Sequence, residues 1–533
     1  MKTTIFSTIM LSALALTACS DDTFSGDAPR DWSGQDTLYV QAEDARFQTY
    51  YKPEIGRVGD PMPFYDEKAG EFKVLYLQEF SPNDPFCYHP IYGVSTKDGA
   101  TYQGMGEVLP TGKSRNEADA ALGTGCCVYN EKEGLYYIYY TGHTSNEVIM
   151  RATSPDFKTW TKDRVWMIKG IDFECYEAFR DPHIFKTDDG VYHMLLTARP
   201  TIAKDPFFME FTSSDMKDWK FVTKINNLWE RMYECPDVFK MGNKWYIVYS
   251  DSNRANWGRS VKYMMADSWD ELKDKFRDSG KVDREQKQLD SRAFYAGKTA
   301  SNGTDRYIWG WTPFRSGEDI HAMNLNVGSG GEPNWSGALV CHKLIQLADG
   351  SLSTAEVPAM AAKYNKSVDL KVKAKTDDYT MYDRLGTHNH ISFTAKAISK
   401  DDRFGVSFCR GSEKWEEKDE KTGKMVQKSG PVRRYYTLVV NPEGDNRKIN
   451  FEQNGPGVEP GKEFIEGGDG YLFPVDANNT YKVDIYTDNS VIVMYVNGKY
   501  GYTQRIHGLQ KNCWSINTYG KNVTISDVKV SEY

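Results

Sequence analysis

Three acidic residues stand at matching places in an internal repeat. Asp60 and Asp181 each open a short β-rich run as Asp-Pro, and Glu234 holds a related slot in Glu234-Cys235-Pro236. A single Asp-Pro is most simply a turn; two of them and a Glu at repeat-equivalent positions point to a site. Carboxyls gathered from three repeats cannot all ionise cheaply unless they share protons or meet a cation. Crowding of that kind holds one carboxyl protonated while another stays charged. Glycoside hydrolysis needs that division: one acid protonates the leaving oxygen, and one carboxylate attacks the sugar or activates water. The chain has no His-Glu-x-x-His, P-loop, Gly-x-Ser-x-Gly or Cys-x-x-Cys pattern. No metal-ligand cluster stands out in the sequence, so no metal is expected.

The elements that must position these acids repeat as well. Five aromatic-rich runs, starting at Phe72, Leu135, Val191, Lys244 and Arg306, lie 53 to 63 residues apart. Each follows a turn signal such as Glu67-Lys68-Ala69-Gly70 or Asp188-Asp189-Gly190. Each turn follows a first short strand, at 60–65, 125–129, 181–185, 234–239 and 294–296. A later element recurs as Asp98…Tyr102, Asp156…Trp160 and Asp215…Trp219. A unit of this kind repeated five times predicts an all-β fold, a five-bladed β-propeller over 37–345. First strands of blades are innermost, so three carboxylates from three blades would meet at one mouth of the central channel. Residues 267–277 are the one helix candidate. A linker at 346–362 leads to alternating runs at 367–372, 390–393, 435–440, 481–486 and 490–495, which predict a C-terminal β-sandwich over 363–533. The charged run 413–428 reads as a solvated hairpin loop.

Composition narrows the partners. The chain of 533 residues is 40% hydrophobic and 14% aromatic, which excludes a disordered or collagen-like protein. Its 66 basic and 74 acidic residues leave a formal net charge of −8, so nucleic acid is not an expected partner. Lys2 and an apolar run over 5–18, too short to cross a membrane, predict a signal peptide at 1–18. Its ending, Leu16-Thr17-Ala18-Cys19, resembles the lipobox of bacterial lipoproteins, which would make Cys19 the lipidated first residue and 19–36 a tether. Ser20-Asp21-Asp22 resembles surface-export signals of Gram-negative lipoproteins. The expected place is the cell envelope, anchored by lipid at Cys19 in the outer membrane and displayed at the surface, with glycan-uptake proteins as neighbours. The remaining cysteines are too sparse for a disulfide scaffold and read as buried apolar fillers.

The whole pattern resembles glycoside hydrolase family 32, the invertase, levanase and inulinase group, from about Ile55 to Tyr533. Arg180-Asp181-Pro182 is similar to that family's Arg-Asp-Pro motif, Glu234-Cys235 to its Glu-Cys motif, and Asp60-Pro61 falls where its nucleophile motif lies. Secondary matches are Tyr76-Leu77-Gln78, Phe294-Tyr295-Ala296, Trp309-Gly310-Trp311 and Asn334-Trp335-Ser336-Gly337. The resemblance implies a propeller followed by a sandwich, and a retaining hydrolase of β-fructosidic linkages in levan, inulin or fructo-oligosaccharides. It implies Asp60 as nucleophile, Glu234 as acid/base and Asp181 as transition-state stabiliser, with Arg180, Gln78, Tyr295, Trp309 and Trp335 contacting the sugar and no cofactor. One departure stands out. Arg57-Val58-Gly59-Asp60-Pro61-Met62-Pro63 replaces the family's Trp-Met-Asn-Asp-Pro-Asn-Gly, so the sugar-contacting shell is rewritten around retained acids.

Two other readings fit the same residues. Propeller hydrolases of arabinose- or xylose-containing glycans also use three acids from separate blades, with inversion. A surface lipoprotein could instead bind an oligo- or polysaccharide without cleaving it, stacking sugars on Tyr88, Tyr92, Tyr295, Trp309, Trp311 and Trp335.

Overall fold

The computed structural model describes residues 46–54, 56–78, 88–144, 146–202, 204–226, 232–252, 260–313, 335–398, 402–410, 412–431, 435–441, 448–454, 471–472, 478–505 and 513–533. The expected signal peptide, tether and lipidation site at Cys19 lie outside them. Among the described residues no helix is long and apolar enough to cross a membrane.

Five antiparallel meanders follow one another. The first holds β1 (Val58–Asp66), β2 (Glu71–Gln78), β3 (Ile91–Thr96) and β4 (Gln103–Leu109). The second holds β5 (Leu122–Asn130), β6 (Leu135–Gly142), β7 (Val148–Ser154) and β8 (Thr161–Lys169). The third holds β9 (Ala178–Lys186), β10 (Tyr192–Arg199), β11 (Phe207–Ser213) and β12 (Lys220–Asn226). In the fourth, β13 (Tyr233–Met241), β14 (Lys244–Asp251) and β15 (Ser260–Ala266) are followed by α1 (Trp269–Phe276), α2 (Ser279–Glu285) and β16 (Lys287–Gln288). The fifth runs β17 (Tyr295–Ser301), β18 (Arg306–Pro313), β19 (Gly337–Gln346) and β20 (Leu352–Ala355). A bridge between Val58 of β1 and Gly337 of β19 joins the last meander to the first. The first strands touch in a closed ring, β1 to β5 to β9 to β13 to β17 and back to β1.

Local chemistry explains the repeat. Gly70, Gly134, Gly190, Gly242 and Gly303 all take positive φ in the turns between first and second strands, a conformation glycine adopts without steric cost. The recurring Asp…aromatic element is a side-chain-capped turn. Asp98, Asp156 and Asp215 each accept two backbone N–H groups two and three residues on. The helix candidate is α1, capped by the Ser268 hydroxyl on the Glu271 N–H and burying Trp269, Leu272 and Phe276. Helix α2 carried no comparable apolar stripe and was not foreseen.

The C-terminal part forms two sheets. In one, Lys366–Ser367, Val523–Glu532, His388–Ala397, Thr480–Asp488, Val491–Val496 and Tyr500–Arg505 pair in that order. The other includes Val372–Lys375, Tyr379–Tyr382, Cys513–Tyr519 and Arg403–Arg410. Ile391, Phe393, Val483 and Ile485 of the first face Phe404, Val406, Trp514 and Ile516 of the second in a shared core. The strand expected at 367–372 is split, because the chain leaves one sheet after Ser367 and joins the other at Val372. The charged run at 413–428 forms the expected hairpin, pairing Ser412–Lys418 with Met425–Pro431. The expected linker at 346–362 is likewise structured: β20 pairs with β19, and all four of its residues are buried.

A buried polar cluster fastens this part to the meanders. His342 of β19 meets the Tyr495 hydroxyl through Nδ1 at 2.7 Å and the Asp290 carboxylate through Nε2 at 2.9 Å. Asp290 also accepts the Thr503 N–H at 2.7 Å. Buried polar groups hold a fixed arrangement when all are paired, so this joint is a defined contact.

Candidate active site

Each first strand slips in register against its neighbour near the same end. The breaks fall between Val58 and Pro61, Gly123 and Gly125, Arg180 and His183, Glu234 and Asp237, and Tyr295 and Lys298. Such bulges bend a strand and re-aim its side chains. Three of them carry a non-glycine residue in the left-handed region: Asp181 (φ 61), Cys235 (φ 51) and Ala296 (φ 54). That conformation is strained for an L-residue and persists where the surroundings enforce it. Arg180, Glu234 and Tyr295 are the last paired residues before their bulges, and Asp181, Cys235 and Ala296 come next. The structural counterpart of Asp181 is therefore Cys235; Glu234 shares the slot of Arg180 and Tyr295. This refines the expected correspondence of the acids, because a bulge shifts register by a residue that the sequence does not mark.

The bulges bring the three acids into one hydrogen-bonded cluster. Asp60 accepts the Thr124 hydroxyl at 2.6 Å and the Trp311 indole N–H at 2.8 Å, and the Cys235 thiol lies 3.7 Å from its Oδ2. All three are donors, so both Asp60 oxygens act as acceptors, as an ionised carboxylate does. Asp181 accepts the Cys235 N–H at 2.9 Å, and its own N–H donates to the Thr141 hydroxyl at 3.1 Å. Glu234 accepts the Tyr295 hydroxyl at 2.8 Å and lies 3.4 Å from Nη1 of Arg180.

Burial and charge divide the acids. Asp181 is 3% exposed. Its burial first, then the neighbouring Glu234 and Asp60 charges, push its carboxyl up to about 7 against the pull of Arg180. The Cys235 thiol is pushed well above its ordinary value, by burial first and then by Asp60 and Asp181. It stays protonated and serves as a donor. Arg180 is held in its charged form by Glu147, Glu234 and Asp181 despite its burial.

The expected sugar-contacting residues fall into two groups. Tyr295 belongs to the cluster through Glu234, and Gln78, at the end of β2, pairs with Val58 beside the Asp60 bulge. Trp335 packs against Gly59: a Cβ there would lie 2.2 Å from its ring. The His89 ring stacks on Trp335 with centroids 4.4 Å apart, and Trp311 flanks it at 6.3 Å. An aromatic wall thus occupies the place beside Asp60 where the family motif carries Asn. Trp309 stands apart. It is fully buried, its indole N–H donates to Tyr102, and its ring packs on Phe72 and Tyr307. Packing covers that ring, so the structure does not bring it to the acids.

Several residues of the cluster were not among the catalytic and sugar-contacting roles the resemblance implied, although Trp311 lies in the matched Trp309-Gly310-Trp311. Thr124 and Trp311 hold Asp60, and Thr141 holds the Asp181 backbone. Glu147 grips Arg180 through two oxygens. Lys298, 2% exposed, reaches across the ring from β17 to the Gly125 carbonyl at 3.0 Å. Among the described residues no group of three or more His, Cys, Asp or Glu side chains is arranged to hold a metal ion.

Comparison with known proteins fits this arrangement. Residues 350–530 match the profile "GH32, BT1760-like, C-terminal domain" and residues 53–355 match "Glycosyl hydrolases family 32 N-terminal domain". The sucrose-6-phosphate hydrolase of Zymomonas mobilis subsp. mobilis is 28% identical over 222 residues, 37% of this chain and 41% of that protein. The Vibrio alginolyticus enzyme of the same name is 25% identical over 223 residues, 39% and 43% of the two chains. The matched stretch spans about two-fifths of these curated relatives' length. Among solved structures, an exo-inulinase from Aspergillus awamori superposes with a TM-score of 0.64 at 15% identity, covering 92% of this chain and 98% of that one. The Bombyx mori GH32 beta-fructofuranosidase gives 0.62 at 16%, covering 92% and 94%. These structural likenesses establish the fold alone; together with the profile that matches over half of the sequence, they mean that this chain belongs to glycoside hydrolase family 32.

Proposed function

We propose that this hydrolase is a retaining β-fructosidase that attacks fructans such as levan, inulin or fructo-oligosaccharides. The observation that carries the reading is the clustering of Asp60, Asp181 and Glu234 through one dipeptide, Glu234-Cys235. Its Cys235 bonds Asp181 and abuts Asp60, while its Glu234 meets Arg180. Asp60, surrounded by donors, attacks the anomeric carbon and forms a fructosyl ester. Glu234 gives its proton to the departing oxygen, then takes one from the water that releases the sugar. Asp181, held near neutrality between its two charge states, accepts and donates hydrogen bonds to ring hydroxyls. Arg180 supplies positive charge beside the acid/base. The five meanders and their ring of first strands are read as the blades of a five-bladed propeller, with the acids at one mouth. Lipid anchorage at Cys19 and display at the cell surface complete the proposal, placing the site where a polymer outside the cell can reach it.

The stereochemistry of the first product tests this. Proton NMR of early hydrolysis products from levan and inulin is expected to show retained anomeric configuration. Inverted product, or products from arabinose- or xylose-containing glycans alone, would overturn it. Binding without turnover would favour a glycan-capturing lipoprotein.

A further inference from the structure

Arg180 lies between two carboxylates that hold it unequally. Its Nε and Nη2 are each 3.0 Å from Glu147, on separate oxygens, while Nη1 reaches Glu234 at 3.4 Å. Paired contacts in one plane are the strong form of this interaction. Glu147 is buried, and its other contacts are the Phe179 N–H and Nδ1 of His143, both at 2.6 Å. Burial is the largest influence on Glu147 and opposes its charge. Arg180, His143 and the Phe179 N–H outweigh it and hold the carboxyl below its ordinary value. His143 is about one-third exposed.

We propose that Glu147 is a positioning residue: it divides the Arg180 guanidinium between itself and Glu234, and keeps enough of that charge from Glu234 for the acid/base to hold the proton it must deliver. This rests on the role proposed above for Glu234. The charged groups facing Arg180 are Glu147 on the segment before β7, Asp181 beside it on β9 and Glu234 on β13. Asp60 on β1 stands beyond Asp181, and His143 beyond Glu147. With Glu147 neutral, Arg180 would act undivided on Glu234 and favour its charged form. With the His143 contact altered, Glu147 would be freer for Arg180, and the effect on Glu234 would run the other way.

The test follows the ¹³C carboxyl resonance of Glu234 against pH in the full chain, together with the pH profile of kcat/KM. Glu147→Gln is expected to lower both the Glu234 midpoint and the basic limb by about one pH unit, the scale of one nearby charge. His143→Gln is expected to raise them by a smaller amount. An unmoved Glu234 resonance in Glu147→Gln, or a rate loss equal at every pH, would assign Glu147 a packing role and overturn the proposal. If Glu147→Gln fails to fold, His143→Gln decides: an upward shift supports the proposal, and no shift or a downward one overturns it. A wild-type protein inactive on every fructan would instead sink the functional reading, while the resonance still tests Glu147.

Discussion

Cys235 donates its backbone N–H to Oδ2 of Asp181 at 2.9 Å while standing in the same left-handed conformation as Asp181 itself. The two occupy equivalent bulges in neighbouring first strands, so one strained residue satisfies the other. The strain fixes where the carboxylate points, and burial raises that carboxyl to about 7, so it titrates near neutral pH.

That arrangement destabilises the folded chain as pH rises. The folded-state value of Asp181 is raised to about 7, so the folded form binds the proton more tightly than the unfolded form does. Its contribution is therefore intact at low pH and is lost between about pH 4 and 7, at up to about 1.4 kcal/mol per pH unit. Asp181→Asn is expected to remove this loss. Its melting temperature should exceed wild type by about 2–4 °C at pH 8 and by little at pH 4, with activity abolished. A deficit at pH 8 in calorimetry would show that the carboxylate is better solvated than its burial implies.

Trp335 over Gly59 makes a second prediction. In Gly59→Ala the new methyl would sit 2.2 Å from the indole, and Trp335 would have to move. KM is expected to rise about ten-fold or more, the scale of a misplaced substrate-positioning group, with the melting temperature nearly unchanged. Steady-state kinetics and thermal melting check this; an unchanged KM would remove Trp335 from the sugar site.

Trp309 predicts the opposite pattern. Trp309→Phe loses buried volume and the bond to Tyr102, and should cost about 1–3 kcal/mol of stability. Its kcat and KM at low temperature should match wild type. A selective loss of kcat/KM in a fully folded variant would contradict its assignment to the core.

The contrast between the two tryptophans shows what a sequence can carry. Trp309 and Trp311 share one face of β18, and Trp311 reaches Asp60 while Trp309 packs on Phe72. Two residues of strand rise, about 6–7 Å, separate a site residue from a core residue. No motif encodes that depth. The meanders were legible because glycine-containing turns and alternating aromatics are local signals, and Asp60, Asp181 and Glu234 because the repeat placed them. The bulges that move Glu234 into the slot of Arg180 were not legible, since register depends on the neighbouring strand. Glu147 was missed for the same reason: only the fold brings it to Arg180, from the connection between β6 and β7. The sheet switch after Ser367 likewise depends on which strands His388–Ala397 and Tyr379–Tyr382 recruit as neighbours.

Asp60 and Glu234 are expected to act together in cleaving a β-fructosidic bond. The most direct measurement incubates the purified chain, Asp60→Ala and Glu234→Ala with levan, inulin, sucrose and arabinan, and separates the released sugars by chromatography. Fructose or fructo-oligosaccharides from the wild type, reduced at least about 10³-fold in both variants, is the expected result. Undiminished release in either variant, or arabinan as the sole substrate consumed, would contradict it.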